Sequence, residues 1–453
     1  MRGAGGRRKL SGKGTGMNSE SSRGTNLNGT AMKRFLVLIG IAMCAALPAL
    51  ALRTAGWRLG PVVDTAIFGV AILAAGFLLS WGAEAAERHI AQGLILAAVA
   101  LITVLPEYAV DMYYAFQAGQ AGPESPYVHY AAANMTGANR LLVGVAWPLL
   151  ALLHWIKDRH RVIELTNDNA IEVSFLLLAS LYAFVILFKG SITLFDFTML
   201  VAIFGGYVWR VRNVRKSENP DEEDEPGPAA ALNELPLRTQ WIVMAGLGLA
   251  ACGIILWSAA PFAEAMIEAG RALGISEFLL IQWLAPLASE APAVSIAVLF
   301  VLRGRAAGGL ITMISDKINQ WTLLVGMLPL AMTVGAGGAT ALPLDARQIE
   351  EFFLTASQSL FGVALLMRLR FSLLSATALA LLFLVQVSLA YYFRNDEIRT
   401  IATLSGLAWV YLALASMLFI WNGRRLLEII RFTLRSSTAP ANPKTLNSAR
   451  GEC

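Results

Sequence analysis

ILAAVALITVLPEYAVDMYYAF (95–116) and FLLIQWLAPLASEAPAVSIAVLF (278–300) each set one glutamate, Glu107 and Glu290, in a long apolar run beside proline. A run of about 20 apolar residues crosses the hydrocarbon of a bilayer as a helix. A carboxylate at the centre of such a helix costs about 3 kcal/mol or more, so its default use is to hold a cation or a proton. Two of them at matching places (290 − 107 = 183 residues apart) point to a duplicated transporter.

Composition bounds the class. Hydrophobic residues make up 56% of the 453 and charged residues 15%, which excludes an ordinary soluble globular protein and implies a polytopic membrane protein. The net charge of +5 sits in tails and loops rather than in one patch, so it speaks to orientation in the membrane and not to nucleic acid. Cys44, Cys252 and Cys453 are far apart, and the four histidines are not spaced as ligands on one helix face. Neither a disulfide framework nor a thiolate metal site is indicated.

Twelve apolar runs are long enough to span: 35–52, 62–84, 90–118, 128–155, 170–188, 191–209, 241–264, 276–302, 308–334, 349–367, 371–393 and 401–421. Loops after the even-numbered runs carry most of the base, among them Arg159, Arg161, Arg210, Arg303, Arg368 and Arg424. The positive-inside rule places those loops and both termini in the cytoplasm, as expected of a multi-pass protein of the cytoplasmic membrane. Residues 1–31 are a basic tail given no fold. Residues 32–60, starting MKRFLVLIG, read as an extra span or a signal-like segment, and 211–239, with PDEEDEPGP, as an acidic cytoplasmic linker. That leaves 61–210 and 240–393 as two repeats of five helices, with 394–453 as a last span and basic cytoplasmic tail. The expected fold is therefore an all-α membrane protein of about 12 transmembrane helices.

The repeats align in detail. Asn134, in AAANMTGANRLLVG (131–144), follows Glu107 by 27 residues, and Asp316, in MISDKINQWTLLVG (313–326), follows Glu290 by 26. Each polar residue stands ten positions before the glycine of LLVG. Five spans per copy is odd, so the copies must lie inverted in the membrane, bringing equivalent helices together at the midplane. Helix interruptions at Pro106, Pro286 and Pro292 are expected to free backbone carbonyls there. Asp111, one turn after Glu107, shares its face and is a further ligand or a proton acceptor. Lys317 is expected to neutralise Asp111 or Asp316, or to stand in place of an ion. Asn139, Arg140, Asn319 and Gln320 are expected to form a deeper polar layer that packs helices or gates the site, and Glu172 and Asp196 to be interfacial.

On these residues the chain resembles the calcium/cation antiporter superfamily, whose two alpha repeats carry G-T-S-x-P-E and G-S-N-x-x-N/D motifs. The resemblance implies a cation site formed by Glu107, Glu290, Asn134 and Asp316, with Thr103 and Thr312 matching the motifs' hydroxyl residues. Val104, Tyr130, Pro286 and Leu287 stand where the motifs have further hydroxyls. It also implies secondary antiport of Ca²⁺ for Na⁺ or H⁺ by alternating access, the alternative being a Na⁺/H⁺ exchanger of the same fold without calcium selectivity. No cofactor is expected; the partners are inorganic cations and the lipid bilayer, and no G-x-S-x-G, H-E-x-x-H or phosphate loop suggests an enzyme.

Overall fold

The computed structural model describes residues 17–86, 104–215 and 228–434. In chain order its helices are α1 (Met17–Ala55), α2 (Pro61–Ala86), α3 (Leu105–Ala121), α4 (Pro126–Leu141), α5 (Trp147–Asp158), α6 (Ala170–Lys189) and α7 (Leu194–Arg215), then α8 (Leu237–Leu273), α9 (Glu277–Leu302), α10 (Ala306–Asn319), α11 (Val325–Ala336), α12 (Ala346–Leu366), α13 (Leu373–Tyr392), α14 (Glu397–Trp421) and α15 (Gly423–Leu434). Among the described residues, eleven helical segments are long and apolar enough to cross a membrane. The run containing Glu107 is described only from its α3 portion onward, and Thr103 lies outside the described residues.

Two local expectations change. α1 begins at Met17, inside the tail that was given no fold, because helix propagation adds one hydrogen bond per residue ordered once the apolar run from Thr30 supplies a nucleus. α8 runs for 37 residues, a helix of about 55 Å that continues well past the end of the apolar run expected at 241–264.

Four short strands order the two ends of the bundle. β1 (Val162–Glu164) pairs antiparallel with β4 (Arg370–Ser372), tying the α5–α6 loop to the α12–α13 loop. β2 (Ser191–Ile192) pairs with β3 (Leu342–Pro343), tying the α6–α7 loop to the α11–α12 loop. The first ribbon shares its end with Lys157, whose Nζ donates to the Val301 carbonyl at 3.4 Å. Among the described residues, the basic loops around Arg159, Arg303 and Arg370 are thus held at one end.

The core helices pack as α2 on α8, α4 on α9 and α3 on α11. Glycine makes the last two crossings possible. A Cβ on Gly119 would run into the Met332 carbonyl, and one on Gly335 into the Phe116 carbonyl, so α3 and α11 meet backbone to backbone at two reciprocal points. Gly119→Ala is expected to cost about 1 to 3 kcal/mol through forced separation of these helices. A thermal unfolding midpoint in detergent equal to that of the parent would refute this.

A helix starts at Pro106 as expected, whereas the two prolines of α9 do not interrupt theirs. Pro106 opens α3 in its first turn, where its missing N–H leaves no hydrogen bond unmade, and Pro286 and Pro292 sit inside an unbroken α9. Pro286 still removes the intrahelical donor for the Gln282 carbonyl one turn back. That oxygen faces Gly137 of α4, where any side chain would collide with it. The actual irregularities are wider π-helical turns at Leu142–Ala146 and Gln320–Leu324, each overlapping the LLVG segment of its copy.

Candidate functional site

Four helices deliver the polar residues that the sequence singled out. α3 carries Glu107 and Asp111 on one face, α4 carries Asn134, α9 carries Glu290, and α10 carries Asp316 and leads into Gln320 at the π turn. Ser125 starts α4 by accepting from the Tyr127 N–H at 3.3 Å, with Pro126 in the first turn, which fixes where Asn134 falls along the bundle. All are buried: Glu107 is 1% exposed, Asp111 0%, Asn134 1%, Glu290 5% and Asp316 5%.

The two glutamates, 183 residues apart in sequence, are brought to the same side-chain amide. The amide of Gln320 joins them, its Nε2 donating to Glu107 Oε2 at 3.1 Å and to Glu290 Oε1. Beside them Asn134 Nδ2 donates to Asp111 Oδ1 at 2.7 Å, and the Tyr108 hydroxyl donates to Asn319 Oδ1 at 2.9 Å. Asp111 lies within electrostatic reach of both glutamates and Asp316 within reach of Glu290.

These contacts leave acceptors over. Among the described residues, Glu107 Oε1, Glu290 Oε2, Asp111 Oδ2, Asn134 Oδ1, Asp316 Oδ2 and Gln320 Oε1 are buried without a hydrogen-bond donor. Burying a carboxylate oxygen unpaired is expensive, so such a group is normally matched by a proton or a cation. A hard divalent cation takes six to eight oxygens at about 2.3 to 2.6 Å. Among the described residues, however, no three His, Cys, Asp or Glu side chains are already gathered around one metal-sized point. The expected set of Glu107, Glu290, Asp316 and Asn134 is thus neighbouring but not closed into a single shell: Asn134 is turned to Asp111, and the glutamates are held to Gln320.

Other expectations resolve differently. Gln320, expected in a deeper packing layer, is the residue that bridges the glutamates. Its place four residues after Asp316, on the same helical face, was the available signal. Lys317 pairs with neither Asp111 nor Asp316 among the described residues; its Nζ donates to the Asn139 carbonyl at 2.6 Å and lies 5.3 Å above the Trp321 ring. Thr312 donates to the Gly308 carbonyl at 3.0 Å, one turn before Asp316 on the same helix. Asp196 caps the start of α7, accepting from the Thr193 N–H at 2.6 Å and the Tyr182 hydroxyl at 2.9 Å.

Arg140 belongs to a second buried network that sequence spacing did not expose. Its Nη2 meets Glu351 Oε2 of α12 at 2.5 Å, and that oxygen also accepts from Gln282 at 2.8 Å. Arg347 holds Glu351 Oε1 at 2.6 Å and Glu350 at 3.4 Å. Two guanidiniums balance two carboxylates, so the network is neutral within itself and ties α4, α9 and α12 together.

Residues 61–212 match the family model described as sodium/calcium exchanger protein. The chain is similar to the crystal structure of the H⁺/Ca²⁺ exchanger CAX, with 38% identity over 90% of this chain and 98% of that one and a TM-score of 0.81. It shares the fold of native YfkE at 14% identity, covering 78% of this chain and 97% of that one, with a TM-score of 0.55. No curated protein sequence matches the chain.

Proposed function

The chain belongs to the calcium/cation antiporter superfamily, and from that premise we propose that it exchanges Ca²⁺ for H⁺ across a cytoplasmic membrane by alternating access. The observation that carries this reading is that Glu107 and Glu290, both buried, accept from the one amide nitrogen of Gln320. Two buried carboxyls so placed need either a proton between them or a cation beside them, and those two occupants exclude each other. Mutual exclusion at one site is what couples two fluxes, since the site crosses loaded with one or with the other.

Asp111, Asn134 and Asp316 complete the oxygen set on this reading, each retaining a buried oxygen free of donors among the described residues. Gln320 positions the glutamates in the protonated state and yields them to the metal. Likeness to an H⁺/Ca²⁺ exchanger favours H⁺ over Na⁺ as the coupling ion. The replacement of motif hydroxyls by Val104, Tyr130, Pro286 and Leu287 favours it too, because Na⁺ binding draws on such neutral oxygens.

Residues 61–210 and 240–393 act as the two repeats, lying inverted. The strand ribbons support this: exchanging the copies carries the α5–α6 loop onto the α11–α12 loop and the α6–α7 loop onto the α12–α13 loop, so one ribbon maps onto the other. The end bearing Arg159, Arg303, Arg368 and Arg424 then faces the cytoplasm, with both termini.

Proteoliposomes separate the possibilities. An imposed pH gradient is expected to drive ⁴⁵Ca²⁺ uptake with Na⁺ absent. Uptake that requires a Na⁺ gradient would assign Na⁺ as the coupling ion, and Na⁺-dependent proton flux without calcium uptake would replace the reading with Na⁺/H⁺ exchange.

A further inference from the structure

At the basic end of the bundle, α14 stops at Trp421 and the chain turns into α15 over an open cavity of about 1100 Å³. Arg368, Arg370, Arg424 and Arg425 line it, together with Trp421 and Asn422. Three of the guanidiniums are held in place: Arg368 Nε donates to Asn422 Oδ1 at 2.9 Å, Arg370 to Glu164 at 2.6 Å and Arg425 to Glu428 at 2.7 Å. Four arginines against those two glutamates leave a net charge of +2 on the rim.

α15 shows where this cavity lies in the bilayer. Ile429 is buried, and the Thr433 hydroxyl reaches Ser174 at 2.8 Å, so one side of the helix rests on the start of α6. Arg424, Glu428 and Arg431, spaced by one turn, form a polar side. Leu427 is 54% exposed and Leu434 77%, apolar surface turned away from the protein. A short helix with one side on protein, one polar side and further exposed leucines lies in the plane of the interface, at the depth of lipid headgroups. Trp421, also exposed, marks the same depth at the end of α14.

We propose that this cavity binds the headgroup of an anionic phospholipid of the cytoplasmic leaflet, with α15 laid on the acyl boundary beside it. The arginines supply donors for a phosphodiester in paired, planar geometry. Leu427 and Leu434 meet the chains that a free phosphate would lack, which is why the occupant is a lipid. The cavity is separate from the glutamate site, and nothing in this proposal depends on the ion transported.

The test counts lipids directly by native mass spectrometry of the purified full-length protein in mixed micelles of phosphatidylglycerol and phosphatidylcholine. The parent is expected to retain phosphatidylglycerol preferentially. Each basic residue near an anionic surface contributes about fivefold in affinity, so the double substitution R424Q/R425Q is expected to lower that preference about 25-fold. The charge-conserving R424K/R425K is expected to keep most of it. Glu428→Gln, which removes an acid from the rim, is expected to raise it and keeps the proposal testable if the double glutamine variant does not fold. Unchanged retention in R424Q/R425Q, or no rise in Glu428→Gln, would overturn the proposal. So would displacement of the bound lipid by inorganic phosphate at the same headgroup concentration, which would mark a soluble-phosphate site instead.

Discussion

Replacing Glu107 by Gln, or Glu290 by Gln, is expected to abolish exchange and leave the protein folded. Each substitution keeps the side chain's shape beside Gln320 while removing one of the two carboxyls that share its amide. Taking one charge from a buried, compensated set costs about 3 to 5 kcal/mol, which on the cation-bound state lowers affinity by about a hundredfold or more. The glutamine also cannot carry the coupling proton, so the return half of the cycle fails with the forward half. Either single variant should therefore be as inactive as the double. Initial ⁴⁵Ca²⁺ flux in proteoliposomes measures the loss, and gel filtration together with thermal unfolding confirms that the bundle is intact. Calcium transport at the parent's rate in either variant would remove both glutamates from the mechanism and leave them as helix-packing groups.

Sequence made the glutamates legible for a physical reason. In an apolar span a single carboxylate has no solvent to explain it, so position alone carries the inference. Matched spacing then drew in Asn134 and Asp316. Gln320 is within reach of the same logic, four residues after Asp316, but an uncharged amide in a polar stretch carries no comparable energetic cost and is equally compatible with a layer that packs helices or gates the site. Arg140 shows a harder limit: its partner Glu351 is 211 residues away (351 − 140), on a helix outside both motif segments, and no periodicity links them. Pro286 and Pro292 depart from expectation in the opposite direction. A proline inside a helix removes one donor, and in α9 the freed carbonyl is covered by the close approach of Gly137 instead of breaking the helix. Whether a proline kinks depends on what packs against the carbonyl one turn back, which a single sequence does not contain.

Acidity should compete directly with calcium. A proton-coupled exchanger must protonate and deprotonate its carboxyls in the pH range where it works, and a metal ion binds only the deprotonated oxygens. For each carboxyl that must release its proton before Ca²⁺ enters, apparent calcium affinity falls tenfold per unit of pH decrease. With Glu107 and Glu290 both involved, the fall approaches about a hundredfold per unit at its steepest. The sign is fixed: lower pH on the binding side weakens calcium, and higher Ca²⁺ restores the flux, because the two occupants differ only in which of them holds the same oxygens. The measurement is initial ⁴⁵Ca²⁺ flux against Ca²⁺ concentration at several values between about pH 8 and pH 6, with the proton gradient collapsed so that driving force and occupancy are not confused. A limiting slope near tenfold per unit would mean that one proton leaves when calcium binds. An affinity that does not change across that range would mean that no carboxyl proton is exchanged for calcium, and the apposed glutamates could not then be the coupling site.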